Sequence, residues 1–256
     1  MIRTKTIMAG LFFAFVPFAL PGLPTHSFAQ DTPGAVVPVL AEFTPIMPSP
    51  LPVSSQERRV SERLVIGIDI SEGSPFLSDE AFTRKTAARI GDRIERLPRG
   101  ALVSLRSFGA HSTMDTSLEL DRSIGRGRSG AQASMFLRAI IAGMPTLVES
   151  GRIKAQAESN IIGFLQTVSR RIDCANERTV VLIATDGLED SEFGKFATDD
   201  RLPAPETPLF EGCTRLEMLG LGRGGGSARL TARLIEAWDA WGQAAGFRTV
   251  ILLDNW

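Results

Sequence analysis

Two apolar runs in this chain each end in an aspartate. "LVIGID" occupies residues 64–69 and "VVLIATD" residues 180–186. Short, continuous runs of this kind suit strands buried on both faces, as in a parallel sheet between two helical layers. Small polar residues follow: the first run continues Asp69-Ile70-Ser71-Glu72-Gly73-Ser74, and the second ends Thr185-Asp186-Gly187. A carboxylate and hydroxyls at a strand end fit a metal site, a helix cap or a plain turn. If the two strands are neighbours, both carboxylates reach one rim of the sheet.

The rest of the pattern alternates strands with helices. Strands are expected at 63–71, 101–109, 112–121, 178–187, 214–222 and 248–254. The third follows the second by a short turn and is therefore antiparallel to it. Helices are expected at 78–100 with Ser78 as cap, near 133–145, from Ser159 to 173, and at 227–247 with Ser227 as cap. Residues 123–158 give a weaker pattern, and 189–212 read as a long acidic loop containing prolines. Alternation of this kind gives an α/β fold: a doubly wound, mostly parallel sheet with one antiparallel edge strand and helices on both faces. Ligands in such sheets sit beyond the carboxyl ends of the strands, where the strand order reverses.

The fold occupies residues 61–256. Before it, Arg3 and Lys5 precede the apolar run "IMAGLFFAFVPFAL" and the small-residue stretch "SFAQ". That is the layout of a signal peptide, residues 1–29, cleaved after Ala29. The apolar run is shorter than the ~20 residues of a membrane span, so no stable membrane insertion is expected after cleavage; retention as an anchor is the alternative. Residues 30–60 are rich in proline and form an extended arm or linker. An exported chain, periplasmic or secreted, follows from this reading. The net charge of −1 leaves no nucleic-acid footprint. With His26 in the leader, His111 is the one remaining histidine. A histidine-rich zinc site is thereby excluded.

One or two carboxylates with several hydroxyls suit a hard divalent cation, Mg²⁺ or Mn²⁺, that retains water. The candidate ligands are Asp69, Ser71, Ser74, Ser159 and Asp186. In this pattern the chain resembles the von Willebrand factor type A domain. The metal-ion-dependent adhesion site of that family uses Asp-x-Ser-x-Ser after the first strand, a threonine in a later loop and an Asp-Gly after the fourth strand. Asp69 and Ser71 match the first positions, Ser159 in "SNIIGFL" stands in the threonine's place, and Thr185-Asp186-Gly187 matches the last motif. The departure is Gly73, which stands where the second serine belongs, with Ser74 one residue late. The resemblance implies a module that binds a protein partner through the rim, with a cation completing the contact. If Gly73 has broken the site, Asp69 and Ser71 remain as loop-capping groups.

Cys174 and Cys213 are the two cysteines. Each precedes a strand, and in the type A fold those strands are adjacent, which places both cysteines at the edge opposite the rim. An exported chain favours a disulfide between them; two free thiols are the alternative.

Other motifs carry less. "GLGRGG" at 220–225 fits a dinucleotide fingerprint, but lies at the C-terminal end of an exported chain and reads as a loop. A hydrolase or phosphatase with Asp69 as nucleophile and Asp186 and Asp190 as metal ligands is conceivable, yet position 71 is serine where such enzymes carry a second acid. "GRGRSG" at 125–130 reads as a solvated loop, and Trp238 and Trp241 as core. The expectation is thus a binding module, not an enzyme.

Overall fold

The computed structural model of the chain describes residues 61–110 and 118–256. The signal peptide, the proline-rich arm and His111 lie outside those residues. In chain order the elements are β1 (Ser61–Asp69), α1 (Pro75–Ser78), α2 (Glu80–Glu95), β2 (Leu102–Phe108), β3 (Glu119–Ser123), α3 (Gly130–Ala142), α4 (Met144–Glu149) and α5 (Ile161–Ser169). There follow β4 (Glu177–Ala184), β5 (Asp190–Ser191), β6 (Gly194–Lys195), α6 (Phe196–Asp199), β7 (Arg215–Leu219), α7 (Ala228–Ala244) and β8 (Val250–Leu253).

Six strands form one sheet in the order β3-β2-β1-β4-β7-β8. Every pairing is parallel except β2 with β3. The order reverses between β1 and β4, so the two aspartate-ending strands are neighbours at the switch point. This is the doubly wound α/β sheet with one antiparallel edge strand that the alternation predicts.

Two apolar layers hold the sheet. Leu64, Ile66 and Ile68 of β1 face Phe82, Ile90 and Ile94 of α2 and Leu137 and Ile141 of α3. Val65 and Val181 face the other way, toward Phe164 and Leu165 of α5 and Leu234 and Trp238 of α7. Each such fully buried side chain contributes on the order of 1.5–3 kcal/mol relative to exposure. Gly67 is required by packing: a Cβ there would stand 2.6 Å from the Phe164 ring, so glycine lets α5 press against β1. At the opposite edge, Cys174 and Cys213 form a disulfide with Cα atoms 4.7 Å apart, just ahead of β4 and β7.

Several expected boundaries shift for local reasons. Ser78 does not cap the long helix. Asp79 does, accepting from the Phe82 amide at 2.9 Å, because the extra short helix α1 uses residues 75–78. α5 begins at Ile161, two residues after the expected start at Ser159, under an Asn160 cap that accepts from the Gly163 amide at 2.7 Å. The helix near 133–145 begins earlier, at Gly130, under a Ser129/Gln132 capping box, and α4 follows it. The acidic loop contains the small β5–β6 hairpin and α6. β3 starts at Glu119, and residues 112–117 of the predicted strand lie outside the described residues. Among the described residues no helix is long and apolar enough to cross a membrane.

Candidate functional site

Asp69 closes β1 and is fully buried. Its two oxygens collect donors from three loops. One accepts from the Ser71 amide at 2.9 Å. The other accepts from the Ser159 hydroxyl at 2.8 Å and the Thr185 hydroxyl at 2.7 Å. The sheet makes this possible, because β1 and β4 end side by side, with Ile68 opposite Ala184. The loop carrying Ser159 is zipped to the continuation of β1: the Gln156 amide donates to the Ile70 carbonyl and the Glu72 amide to the Gln156 carbonyl.

The late serine is accommodated by a turn. The Ser74 amide donates to the Ser71 carbonyl at 2.9 Å, so Glu72 and Gly73 form the exposed middle of a β-turn. Ser74 thereby returns to a buried position, where its hydroxyl accepts from the Phe76 amide at 3.3 Å and caps α1. Gly73 has nothing within 4 Å of where a Cβ would stand. It sits exposed in the turn, with its carbonyl near the glycine-rich loop after β7.

Asp186 follows β4 and is buried, its carboxylate accepting from the Leu188 amide at 2.9 Å. The next residue fixes its placement. Gly187 has φ +81°, and a Cβ there would stand 2.3 Å from Leu221, so only glycine fits. Trp238 of α7 donates its indole N–H to the Gly187 carbonyl at 2.8 Å. The glycine-rich loop after β7 closes on the same segment, the Gly222 amide donating to the Asp186 carbonyl at 2.8 Å. Arg223 in that loop pairs with Asp79 at 3.2 Å. "GLGRGG" is thus a wall of the rim.

Electrostatics set this rim apart. Burial pushes the Asp69 carboxyl up from its ordinary value, against the pull of its hydrogen bonds. Burial first, and then the neighbouring Asp69 charge, push Asp186 up to about 7. Among the described residues no lysine or arginine forms an ion pair with either group. Two close, buried carboxylates with no cationic side chain among the described residues to neutralise them, and with Ser71, Ser159 and Thr185 gathered on Asp69, fit a hard divalent ion that keeps much of its water. Among the described residues no three of His, Cys, Asp and Glu gather as a metal cluster, so a site built from acids or imidazoles alone does not fit.

The sequence reading left out two residues that the fold brings here. Thr185 belongs to the quoted Thr-Asp-Gly motif but was not among the expected ligands, and it holds Asp69. Glu189 was hidden in the acidic stretch "GLEDSE". It is buried, accepts from the Ile161 and Ile162 amides at 2.9 and 3.0 Å, and receives the Ser191 hydroxyl. Burial pushes its carboxyl up to about 7. Its position at the N-terminus of α5 fixes the turn that carries Ser159. A carboxylate near a predicted helix start in space, not in sequence, leaves no local signal. Asp190, the acid of the hydrolase reading, pairs with Lys195 at 2.6 Å. A separate cavity of about 510 Å³, lined by Phe108, Phe164, Arg106 and Asn160 among others, includes none of the five expected site residues.

No family model and no curated protein sequence matches the chain. Several solved structures are similar to the chain at low identity and with TM-scores under 0.5. The conserved hypothetical protein BatB from Bacteroides thetaiotaomicron is 17% identical with a TM-score of 0.47, covering 76% of this chain and 91% of that one. The pilus adhesin SpaC from Lactobacillus rhamnosus GG, in an open conformation, is 13% identical with a TM-score of 0.45, covering 76% and 28%. The human COPII-coat protein Sec24c is 11% identical with a TM-score of 0.41, covering 76% and 30%. Likeness at this level says nothing of the site, whose chemistry is read from its own residues.

Proposed function

We propose that the chain is an exported protein-binding module of von Willebrand type A character, engaging its partner at the rim through a divalent cation, Mg²⁺ or Mn²⁺. One observation carries the reading: Asp69, fully buried, gathers Ser71, Ser159 and Thr185 beside Asp186, with no cationic side chain among the described residues to balance the pair. Asp69, Ser71, Ser74, Ser159, Thr185 and Asp186 would hold the ion, a few of them directly and the rest through its retained waters. Bound there, it would supply an open coordination position for an acidic side chain of the partner. Within the chain, Asp69 orients the hydroxyls, Trp238 and Gly187 position Asp186, and Glu189 steadies the Ser159 turn. The disulfide supports an oxidising, periplasmic or secreted setting. Binding, not turnover, is favoured because Asp190 is committed to Lys195 and no second acid stands two residues after Asp69.

Titration calorimetry with Mn²⁺ and then Mg²⁺ tests this. Heat of binding is expected at pH 8. It weakens toward pH 5, because protons compete for the two carboxylates, and is lost in Asp69→Ala and Asp186→Ala. No binding of either ion at millimolar concentration at pH 8 would overturn the cation-dependent reading.

A further inference from the structure

β8 ends the sheet, and among the described residues no strand pairs with its outer edge. Its residues, Val250-Ile251-Leu252-Leu253, are all apolar and all half-buried. Edge strands are normally protected from pairing by a charge or a proline within them. Here the charges stand only outside the strand, at Arg248 and Asp254, and both side chains are exposed with no ion-pair partner among the described residues.

The backbone phase is fixed by β7. The Leu216 amide donates to the Thr249 carbonyl at 3.0 Å, and the Gly220 amide to the Leu253 carbonyl at 2.7 Å. With Leu216 opposite Val250 and Met218 opposite Leu252, the peptide groups of Thr249, Ile251 and Leu253 face β7. Those of Val250 and Leu252 face outward. The side chains of Val250 and Leu252 pack toward α7, and that of Leu253 toward the α2 layer. Ile251 belongs to neither core cluster.

We propose that β8 is a self-association edge, pairing antiparallel with β8 of a second copy about a twofold axis at Ile251. Three features agree on that register and no other one-residue shift preserves them. It sets the outward groups of Val250 against those of Leu252 of the partner subunit, as a hydrogen-bonded pair. It places Ile251 against Ile251 of the partner subunit as a non-hydrogen-bonded pair, where cross-strand side chains approach most closely. It also brings Arg248 beside Asp254 of the partner subunit at both ends. The contact is isologous and closes after two copies, so it gives a dimer, not a fibre. It is independent of the rim and of any cation.

The test uses the full chain. Sedimentation velocity across a wide concentration range should show a monomer–dimer equilibrium, weakened at least tenfold by Ile251→Lys with the unfolding temperature of the dilute protein unchanged. Ile251→Cys, under mild oxidation, should give a covalent dimer, whereas Glu206→Cys on a distant exposed loop should not. Ile251→Cys bears on register even where Ile251→Lys fails to fold. A monomer at every concentration, a dimer indifferent to Ile251→Lys, or failure of the Ile251→Cys chain to cross-link would each overturn the proposal. So would capture of a foreign strand-forming peptide by a chain that stays monomeric.

Discussion

The two ends of the central sheet are built in opposite ways. At the end where β1 and β4 begin, Arg63 meets Glu177 and a disulfide joins the starts of β4 and β7. An ion pair and a covalent staple close that end. At the other end, Asp69 and Asp186 lie buried together, with no cationic partner among the described residues. One end holds the fold together; the other keeps an electrostatic cost that only a proton or a cation removes. An excess of buried negative charge at one end and covalent closure at the other is the arrangement expected where binding is separated from stability.

The largest effect should come from the stapled end. Replacing Cys174 and Cys213 with alanine opens a loop spanning 39 residues of sequence separation. The chain-entropy model gives a loss of roughly 4 kcal/mol, read in a denaturant titration as a lower midpoint with an unchanged cation response. A lost cation response in that variant would mean that the two ends are not separate.

The next effect, smaller over any one pH unit, belongs to the rim and depends on pH. Asp186 and Glu189 are both raised to about 7 in the folded chain. The folded state therefore holds more protons than the unfolded state between about pH 4 and 7. Stability from these groups is fully present below the unfolded values and is lost as pH rises through the folded ones, with a slope of up to about 1.4 kcal/mol per pH unit for each group. Without divalent ions, the unfolding temperature should fall as pH rises across that window. Asp186→Asn should reduce the slope and Glu189→Gln should reduce it separately. A slope of the opposite sign would contradict the buried-acid picture.

The smallest effects separate the two residues of the displaced motif. Ser74→Ala should cost about 1 kcal/mol through loss of the α1 cap, and should also weaken the cation response. Gly73→Ser should change stability by less than about 0.5 kcal/mol and leave cation binding alone, because that position faces open space. Equal effects of the two on the cation response would show that the Ser74 hydroxyl is no ligand of the ion.

Much of this fold was legible because its signals are local. The apolar runs ending in Asp69 and Asp186 marked β1 and β4, while their adjacency comes from the fold itself. The cysteines ahead of β4 and β7 pointed to the closed end. The misplaced features have a different physical origin. Ser78 and Asp79 are both good caps, and the choice between them depended on α1, a helix of four residues with almost no periodicity. Glu189 acts on α5 across a loop, and the role of Trp238 at Gly187 is a contact over 51 residues. Ser74 returns to a buried position through a β-turn from Ser71, a consequence of the folded loop that the sequence pattern does not show.

The most direct measurement is thermal unfolding of the full chain at pH 8, with EDTA and then with saturating Mg²⁺ or Mn²⁺, beside Asp186→Asn. An ion present at 100 times its Kd stabilises by about 2.7 kcal/mol. The expected result is a rise of several degrees in the wild-type chain on adding the ion, and none in Asp186→Asn, whose ion-free form unfolds at a higher temperature than ion-free wild type. An unchanged wild-type transition with either ion, or an Asp186→Asn chain that responds as fully as wild type, would contradict a cation site at the end of β1 and β4.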